Sequence, residues 1–223
     1  PFSGLPRARE VSSLDGLAEM KFEFETWSSS ERNRDGQRAD RLEQLLHEYP
    51  LSEPTWVRWL SQQIPIEARI FLGNSLPIRE WDLAAAEGHY DIFANRGVNG
   101  IDGLLSTFYG VAEPARPNWA VLGDLSALYD LSGPWALRQR SLSHACVAII
   151  NNGGGKIFER IFHNPLFENR HNLNFAAWAS MWNLNYLKLD DLAPKRLGEP
   201  FGVVEIVPSD KQTAEFWRHW ESR

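Results

Sequence analysis

Two short apolar runs in the middle of the chain each end at a side chain that carries an oxygen atom. The first run covers residues 119–122 and leads through a glycine to Asp124, and the second covers residues 145–150 and leads to Asn151 and Asn152. Both runs are rich in small and β-branched residues and are too short for buried helices, so they predict strands that are buried on both faces. Parallel neighbours of this kind bring their polar ends to one edge of a sheet.

Strand and helix patterns alternate regularly from residue 68 onward. Strands are predicted at 68–72, 90–94, 119–122, 145–150, 186–189 and 202–207, and helices at 77–87, 102–112, 125–139, 155–162, 174–182 and 210–221. This alternation predicts an α/β fold, a doubly wound and mainly parallel six-stranded sheet with helices on both faces. Ligands of such folds bind beyond the carboxyl ends of the strands, where Asp124 and Asn152 are expected.

The beginning of the chain has a different character from the rest. Residues 1–36 contain one strand-like run at 20–27 between polar, turn-rich segments, and are therefore expected to be the tail of a preceding domain and a linker. The domain itself is predicted to span 37–223, with a helical pattern from about its first residue. Because the chain starts at Pro1 and not at a methionine, we expect it to be part of a longer protein.

Composition narrows the possible classes of function. The net charge of −6 over 223 residues gives no support for nucleic-acid binding, which requires a basic face. A single cysteine, Cys146 within a predicted strand, excludes a disulfide framework. No apolar stretch approaches the roughly 20 residues that cross a bilayer, and no signal-peptide pattern is present. We therefore expect a soluble, cytoplasmic protein.

The two strand ends suit a divalent cation that carries a diphosphate. The carboxylate of Asp124 would repel phosphate directly, whereas a cation accepts oxygens from the protein and from the diphosphate together. The amide oxygen of Asn152 suits octahedral magnesium, and the glycines at 153–155 let the backbone approach closely ahead of a helix N-terminus. The alternative is that the Gly-Asp pair forms a helix N-cap and the Asn-Asn-Gly sequence forms an ordinary turn.

The same residues resemble the signature of a known family, the thiamine-diphosphate-dependent enzymes. That signature is a Gly-Asp pair followed at a distance by Asn-Asn, and here Asn151 follows Asp124 by 27 positions. In the family, the aspartate, the second asparagine and a main-chain carbonyl two residues later hold magnesium against the diphosphate. The resemblance therefore implies thiamine diphosphate and Mg²⁺ (or Mn²⁺) as cofactors, with Asp124, Asn152 and the carbonyl of Gly154 as metal ligands.

Three blocks of sequence resemble one branch of that family. Residues 73–79, 95–107 and 123–131 together are similar to the synthases that make 2-succinyl-5-enolpyruvyl-6-hydroxy-3-cyclohexene-1-carboxylate in menaquinone biosynthesis. Leu125 stands where the wider family usually has a glycine-like residue, and this departure also points to the branch. The resemblance implies the C-terminal, diphosphate-binding domain of a transferase that decarboxylates 2-oxoglutarate and adds the succinyl-semialdehyde unit to isochorismate.

The resemblance also assigns the residues around the cofactor. Cofactor contacts are implied for Asn74, Ser75, Gly123, Asp124, Leu125, Ser126, Asn152 and Gly154. Ile101 matches a bulky apolar residue that wedges under the cofactor and bends it, which brings the aminopyrimidine ring to the reactive carbon. The alternative for Ile101 is an ordinary isoleucine of the core.

Both implied substrates are polycarboxylates, so arginines are expected near the cofactor. Arg79 and Arg96 match family positions that contact substrate carboxylates, and Ser75 belongs to the same set. Exposed surface arginines are the alternative. Ile157 and Phe158 match an apolar pair that lines the substrate pocket.

Part of the chemistry is expected to come from outside these residues. In the family, a glutamate on a separate pyrimidine-binding domain, contributed by the neighbouring subunit, controls the tautomer of the cofactor. No such domain is recognisable in the sequence, so we expect a homo-oligomer of the longer protein to be active and the chain alone to be inactive. The roles of Lys156, His163 and His171 stay open. Another carboligase or decarboxylase of the acetolactate-synthase type, and a non-catalytic partner domain, are the alternatives.

Overall fold

A computed structural model describes residues 29–95, 100–142, 144–162, 164–191, 196–197 and 202–222. The chain divides into two compact units, residues 1–39 and 40–223. Helix α1 (Ser29–Glu48) begins well before the predicted start near residue 37, so the loop predicted just before that point is wrong from Ser29 onward. Residues 32–40 are all exposed. A helix exposed on every side needs no apolar stripe, so the sequence lacks the pattern from which a helix is predicted there. The strand-like run at 20–27 lies outside the described residues.

The second unit is built on a six-stranded parallel sheet. Its strands are β1 (Arg69–Leu72), β2 (Asp91–Phe93), β3 (Asn118–Gly123), β4 (Ala145–Ile150), β5 (Asn185–Leu189) and β6 (Gly202–Ile206). The order across the sheet is β2-β1-β3-β4-β6-β5, and every pair of neighbours is parallel. The predicted fold class is therefore confirmed. The chain winds from β1 to one edge and then returns past it to β3, which makes the boundary between β1 and β3 the topological switch point.

Helix α2 (Glu53–Gln63) precedes β1. The helices after β1 lie at the predicted places with one exception, and they are α3 (Leu76–Ala84), α4 (Leu104–Val111), α5 (Asp124–Leu128), α6 (Lys156–Phe162), α7 (Ala176–Met181) and α8 (Asp210–Glu221). The single helix predicted at 125–139 is wrong, because α5 ends early and a separate 3₁₀ helix, Gly133–Arg138, follows a turn. Pro134 disfavours a continuous α-helix, and the chain packs against α4 so closely that a Cβ on Gly133 would lie 2.6 Å from that of Leu105.

Two apolar cores lie on the two faces of the sheet. Ile70 and Val121 point into one core, where they meet Trp56 of α2. Leu122 points into the other, where it meets Phe108 of α4. This alternation is what strands buried on both faces require.

The structure also bears on two expectations from composition. Cys146 is a free cysteine buried in β4, and burial raises the pKa of its thiol. Among the helices that the structure describes, none combines the length and the apolar character needed to cross a membrane.

Candidate functional site

A cavity of about 1220 Å³ lies at the carboxyl ends of β1, β3 and β4. Its walls bring together all but one of the predicted site residues: Asn74, Ser75, Arg79, Ile101, Gly123, Asp124, Leu125, Ser126, Asn152, Gly154, Ile157 and Phe158. The remaining one, Arg96, lies outside the described residues. The topology explains the grouping, since the segments that follow β1, β3 and β4 leave the sheet side by side at the switch point.

Asp124 connects the end of β3 to the turn after β4. Its side chain is almost fully buried, and Oδ2 accepts hydrogen bonds from the amides of Gly153 at 2.8 Å and Gly154 at 2.9 Å. Oδ1 accepts a third from Leu125 at 2.6 Å. Burial raises the pKa of this carboxyl, and the three amides oppose that effect. The Gly-Asp pair does begin a helix, since Gly123 is the N-cap of α5 and Asp124 lies in its first turn. The Asp124 carboxylate has a further structural role, because two of its three amide donors come from the turn after β4.

Asn152 presents an amide oxygen that has no hydrogen-bond partner among the residues described. Its Nδ2 donates to both carboxylate oxygens of Glu53, at 3.1 and 3.0 Å. Its Oδ1 is buried and makes no hydrogen bond within the described residues. A buried acceptor without a partner costs about 1–3 kcal/mol, so such atoms commonly have a ligand-binding reason.

Three residues that carry hard oxygen donors therefore line this cavity. The donors are the carboxylate of Asp124, the amide oxygen of Asn152 and the carbonyl of Gly154, which also accepts a hydrogen bond from Lys156 N at 2.9 Å. Hard oxygens of this kind suit Mg²⁺ and not the nitrogen- and sulfur-preferring metals. In the described part of the chain, no group of three or more His, Cys, Asp or Glu side chains that could hold a metal ion occurs. The donor set fits the predicted cation.

The turn after β4 needs glycine because other parts of the chain pack closely against it. The chain at 168–171 passes directly against it, and a Cβ on Gly154 would lie 2.6 Å from the carbonyl oxygen of Glu168. Gly154 also has a φ of +143°, a conformation that other residues rarely adopt. The same neighbours are joined by a hydrogen bond from His171 N to Gly153 O at 3.0 Å. The sequence suggested that these glycines let a ligand approach the backbone closely. They are also needed so that the chain at 168–171 packs against the turn.

Glu53 is the site residue that sequence reasoning missed. It stands in the first turn of α2, where acidic residues are common because they interact favourably with the helix dipole, so nothing in the sequence marks it. In the structure it is 1% exposed and lines the cavity beside Asn152. Burial raises its pKa to about 7, and the charge of Asp124 adds to this, whereas hydrogen bonds with Asn152 and the buried Glu80 oppose it.

His171 also lies at the site, although the sequence left its role open. Its Nε2 is 3.2 Å from Asp124 Oδ2, without the alignment of a hydrogen bond. Its Nδ1 accepts a hydrogen bond from Leu173 N at 3.2 Å, so the neutral ring carries its proton on Nε2, on the side of Asp124. His163, whose role was equally open, lies outside the described residues.

One wall of the cavity is formed by the segment after β1 and by the loop that carries Ile101. Asn74 Nδ2 donates to the carbonyl of Gly100 at 2.7 Å and so holds this loop against the end of β1. Ile101 is half-buried on the cavity wall and is not one of the buried core residues. Ser75 has a φ of 77°, which for a residue other than glycine stores roughly 1–3 kcal/mol of strain. Strain of this size is typical of functional loops.

The opposite wall combines charged and apolar side chains. Lys156 is largely buried and forms ion pairs with Glu159 at 3.2 Å and Asp210 at 3.3 Å. Phe158 is 41% exposed and stacks on Phe162 with ring centroids 6.0 Å apart. Arg79 belongs to the wall after β1, where it is exposed on α3.

The cavity therefore combines an exposed arginine and an exposed aromatic ring with the buried carboxylate of Asp124.

Replacement of Gly154 by alanine tests the packing requirement of the turn. We expect Gly154→Ala to lower the free energy of unfolding by about 2 kcal/mol or more, because the new Cβ overlaps the Glu168 carbonyl and the positive φ is strained. Urea denaturation without added cation measures this.

The matched control is Gly110→Ala in α4, where a new Cβ would meet nothing within 4 Å. This change is expected to raise the free energy of unfolding by about 0.5–1 kcal/mol, because alanine is the better helix former. Equal effects of the two substitutions would contradict the account of the turn.

Glu53 makes the stability of the protein depend on pH when no cation is added. The folded protein keeps the Glu53 proton up to about pH 7, whereas the unfolded chain releases it near pH 4.5. The folded state therefore binds more protons in this window, and the free energy of unfolding falls as pH rises through it. Glu53→Gln is expected to show a shallower fall, because only the raised pKa of Asp124 still contributes in the same direction. Urea denaturation in EDTA across the window measures it, and identical pH profiles of wild type and variant would refute it.

Comparison with known proteins confirms the resemblance found in the sequence. The chain is 40% identical to the 2-succinyl-5-enolpyruvyl-6-hydroxy-3-cyclohexene-1-carboxylate synthase of Bdellovibrio bacteriovorus, over 99% of the chain and 43% of that protein. It is 32% identical to the synthase of the same name from Akkermansia muciniphila, over 95% of the chain and 41% of that protein. It is 36% identical to the synthase of the same name from Chloroflexus aurantiacus, over 81% of the chain and 33% of that protein.

The similarity extends over nearly the whole chain but over less than half of these curated relatives. No family model matches the chain. Over its own length the chain is thus homologous to part of these synthases.

Proposed function

We propose that this chain, as a relative of these synthases, is the diphosphate-binding domain of a 2-succinyl-5-enolpyruvyl-6-hydroxy-3-cyclohexene-1-carboxylate synthase that depends on thiamine diphosphate and Mg²⁺. One observation carries the proposal: Asp124 and Asn152 line one cavity at adjacent strand ends, and within the described ranges Asn152 Oδ1 has no hydrogen-bond partner. The names of the homologous proteins supply the reaction.

Each part of the cavity has a place in this proposal. Asp124, Asn152 Oδ1 and the carbonyl of Gly154 hold Mg²⁺ or Mn²⁺, and the cation neutralises the diphosphate. The residues that contact the cofactor are Asn74, Ser75, Gly123, Asp124, Leu125, Ser126, Asn152 and Gly154. Ile101 supports the bent shape of the cofactor from the loop that Asn74 holds in place. When bound, thiamine diphosphate supplies the electron sink for the decarboxylation.

The outer part of the cavity is assigned to the substrates, 2-oxoglutarate and isochorismate. Arg79 is exposed on the wall, where its guanidinium is available to bind a carboxylate through two hydrogen bonds. Ser75 lies at the start of the same helix, and Arg96 completes the proposed set. Ile157 and Phe158 line the opposite side with apolar surface.

The longer protein is proposed to complete the site. The curated relatives are more than twice as long as the part that this chain matches. We assign to the remainder a pyrimidine-binding domain with the glutamate that controls the cofactor tautomer, supplied by a neighbouring subunit of a homo-oligomer. The chain alone then holds the diphosphate and metal half of the site and has no synthase turnover.

Cofactor binding by the full-length protein tests the proposal. Asp124→Asn is expected to weaken Mg²⁺-dependent binding of thiamine diphosphate by about 10-fold or more, since it removes the one charged metal ligand. Quenching of tryptophan fluorescence on titration with the cofactor measures the affinity. Asp91→Asn is the matched control, because Asp91 forms ion pairs with Arg69 and Arg116 at the other end of the sheet. Absence of binding by the wild type, or equal binding by Asp124→Asn, would contradict the proposal.

Substrate preference distinguishes the proposed synthase from the alternative, an enzyme of the acetolactate-synthase type. The full-length protein is expected to decarboxylate 2-oxoglutarate in preference to pyruvate. Arg79→Gln is expected to lower kcat/KM for a carboxylate substrate by about 10-fold or more, because a charged hydrogen bond is lost. Steady-state assays with both 2-oxo acids, in the presence of isochorismate, measure both effects. A preference for pyruvate would favour an acetolactate-synthase-like activity instead.

A further inference from the structure

Each asparagine of the pair after β4 is held by a buried glutamate from another part of the chain. Asn151 Nδ2 donates to Glu205 Oε1 at 2.6 Å, and Asn152 Nδ2 donates to Glu53 as described above. Glu205 also accepts hydrogen bonds from Phe175 N and from the hydroxyl of Tyr186, so its carboxylate joins β6 to three other parts of the chain. Glu53 differs, because its contact with Asn152 lies at the wall of the cavity.

We propose that Glu53 is a positioning residue for the cation site, whose carboxylate fixes the orientation of the Asn152 amide so that Oδ1 faces the cation. This inference rests on the proposed function, because it assigns a role toward the cation that Asp124 and Asn152 bind. Glu53 itself is not a ligand in this assignment, and it acts only through Asn152.

The chemistry of the two side chains determines the orientation. A carboxylate only accepts hydrogen bonds, and the NH₂ group of an amide only donates them. Glu53 therefore holds Nδ2 on its own side, with both oxygens within 3.1 Å. The opposite orientation would set Oδ1 against two carboxylate oxygens at the same distances, which is repulsive. Oδ1 is consequently left as the free acceptor, and an oxygen is what a hard cation requires.

The position of Glu53 is fixed by a rigid element. It is the first residue of α2, and its amide donates to Thr213 Oγ1 at 3.0 Å. The helix is capped by Ser52 and packed into the first core through Trp56 and Leu60. A positioning residue on a packed helix places its partner more accurately than one on a loop does.

Glu53→Gln in the full-length protein tests the inference. The glutamine amide is able to donate to Asn152 Oδ1, so the Asn152 side chain is no longer held in one orientation. We expect the affinity for Mn²⁺, measured by electron paramagnetic resonance with saturating thiamine diphosphate, to fall by about 10-fold or more. The measurement is made at a pH above the raised pKa of Glu53, so that the wild-type carboxylate is ionised.

Glu113→Gln is the matched control, because Glu113 pairs with Arg69 at the far end of the sheet and is half-exposed. It is expected to bind Mn²⁺ as the wild type does. Thermal unfolding in EDTA shows that both variants are folded, and Glu53→Gln is expected to unfold at no lower a temperature than the wild type, since it loses a buried charge.

A double-mutant cycle shows whether Glu53 acts through Asn152. Asn152→Ala is expected to weaken Mn²⁺ binding, and addition of Glu53→Gln to it is expected to cause no further loss. An unchanged affinity in Glu53→Gln, or an equal loss in both backgrounds, would overturn the inference while the proposed function stands. Absence of Mn²⁺ binding by the wild type would overturn the proposed function and the inference with it.

Discussion

The hydrogen bonds that the Asp124 carboxylate accepts are the interactions on which the site depends. This carboxylate lies at the end of β3 and accepts the amides of Gly153 and Gly154 from the turn after β4. Two segments that are distant in sequence are thereby held at one edge of the sheet, with Asn152 beside them. Oδ2 already accepts two of the three amides, whereas Oδ1 accepts only the amide of Leu125 and keeps a further lone pair. The same group is therefore able to organise the protein and to meet a cation.

The sheet topology determines which other residues reach this point. Since β1 and β3 are neighbours and β4 lies next to β3, the segments after all three strands share one cavity. The wall after β1 contributes the strained Ser75 and the amide of Asn74, which holds the loop with Ile101. The turn after β4 contributes Asn152 and is itself packed against the chain at 168–171. Fold and site are thus consequences of the same strand order.

The sequence was sufficient to predict the sheet and the residues at its edge, and insufficient where contacts are long-range. Apolar runs and their polar ends predicted the strands, because buried parallel strands have a strong local signal. Glu53 was missed because its role depends on a contact with a residue 99 positions away. The helix predicted at 125–139 failed because local propensity did not reveal the tight packing at Gly133. The start of α1 was missed because exposed helices lack an apolar stripe.

A crystal structure of the full-length protein with thiamine diphosphate and Mg²⁺ tests the central claim most directly. The account predicts one Mg²⁺ between the diphosphate and the protein, coordinated by Asp124, by Oδ1 of Asn152 and by the carbonyl of Gly154, with Glu53 still bonded to Nδ2 of Asn152. A cation bound elsewhere, or a diphosphate in this cavity without contact through a metal to Asp124 and Asn152, would contradict it.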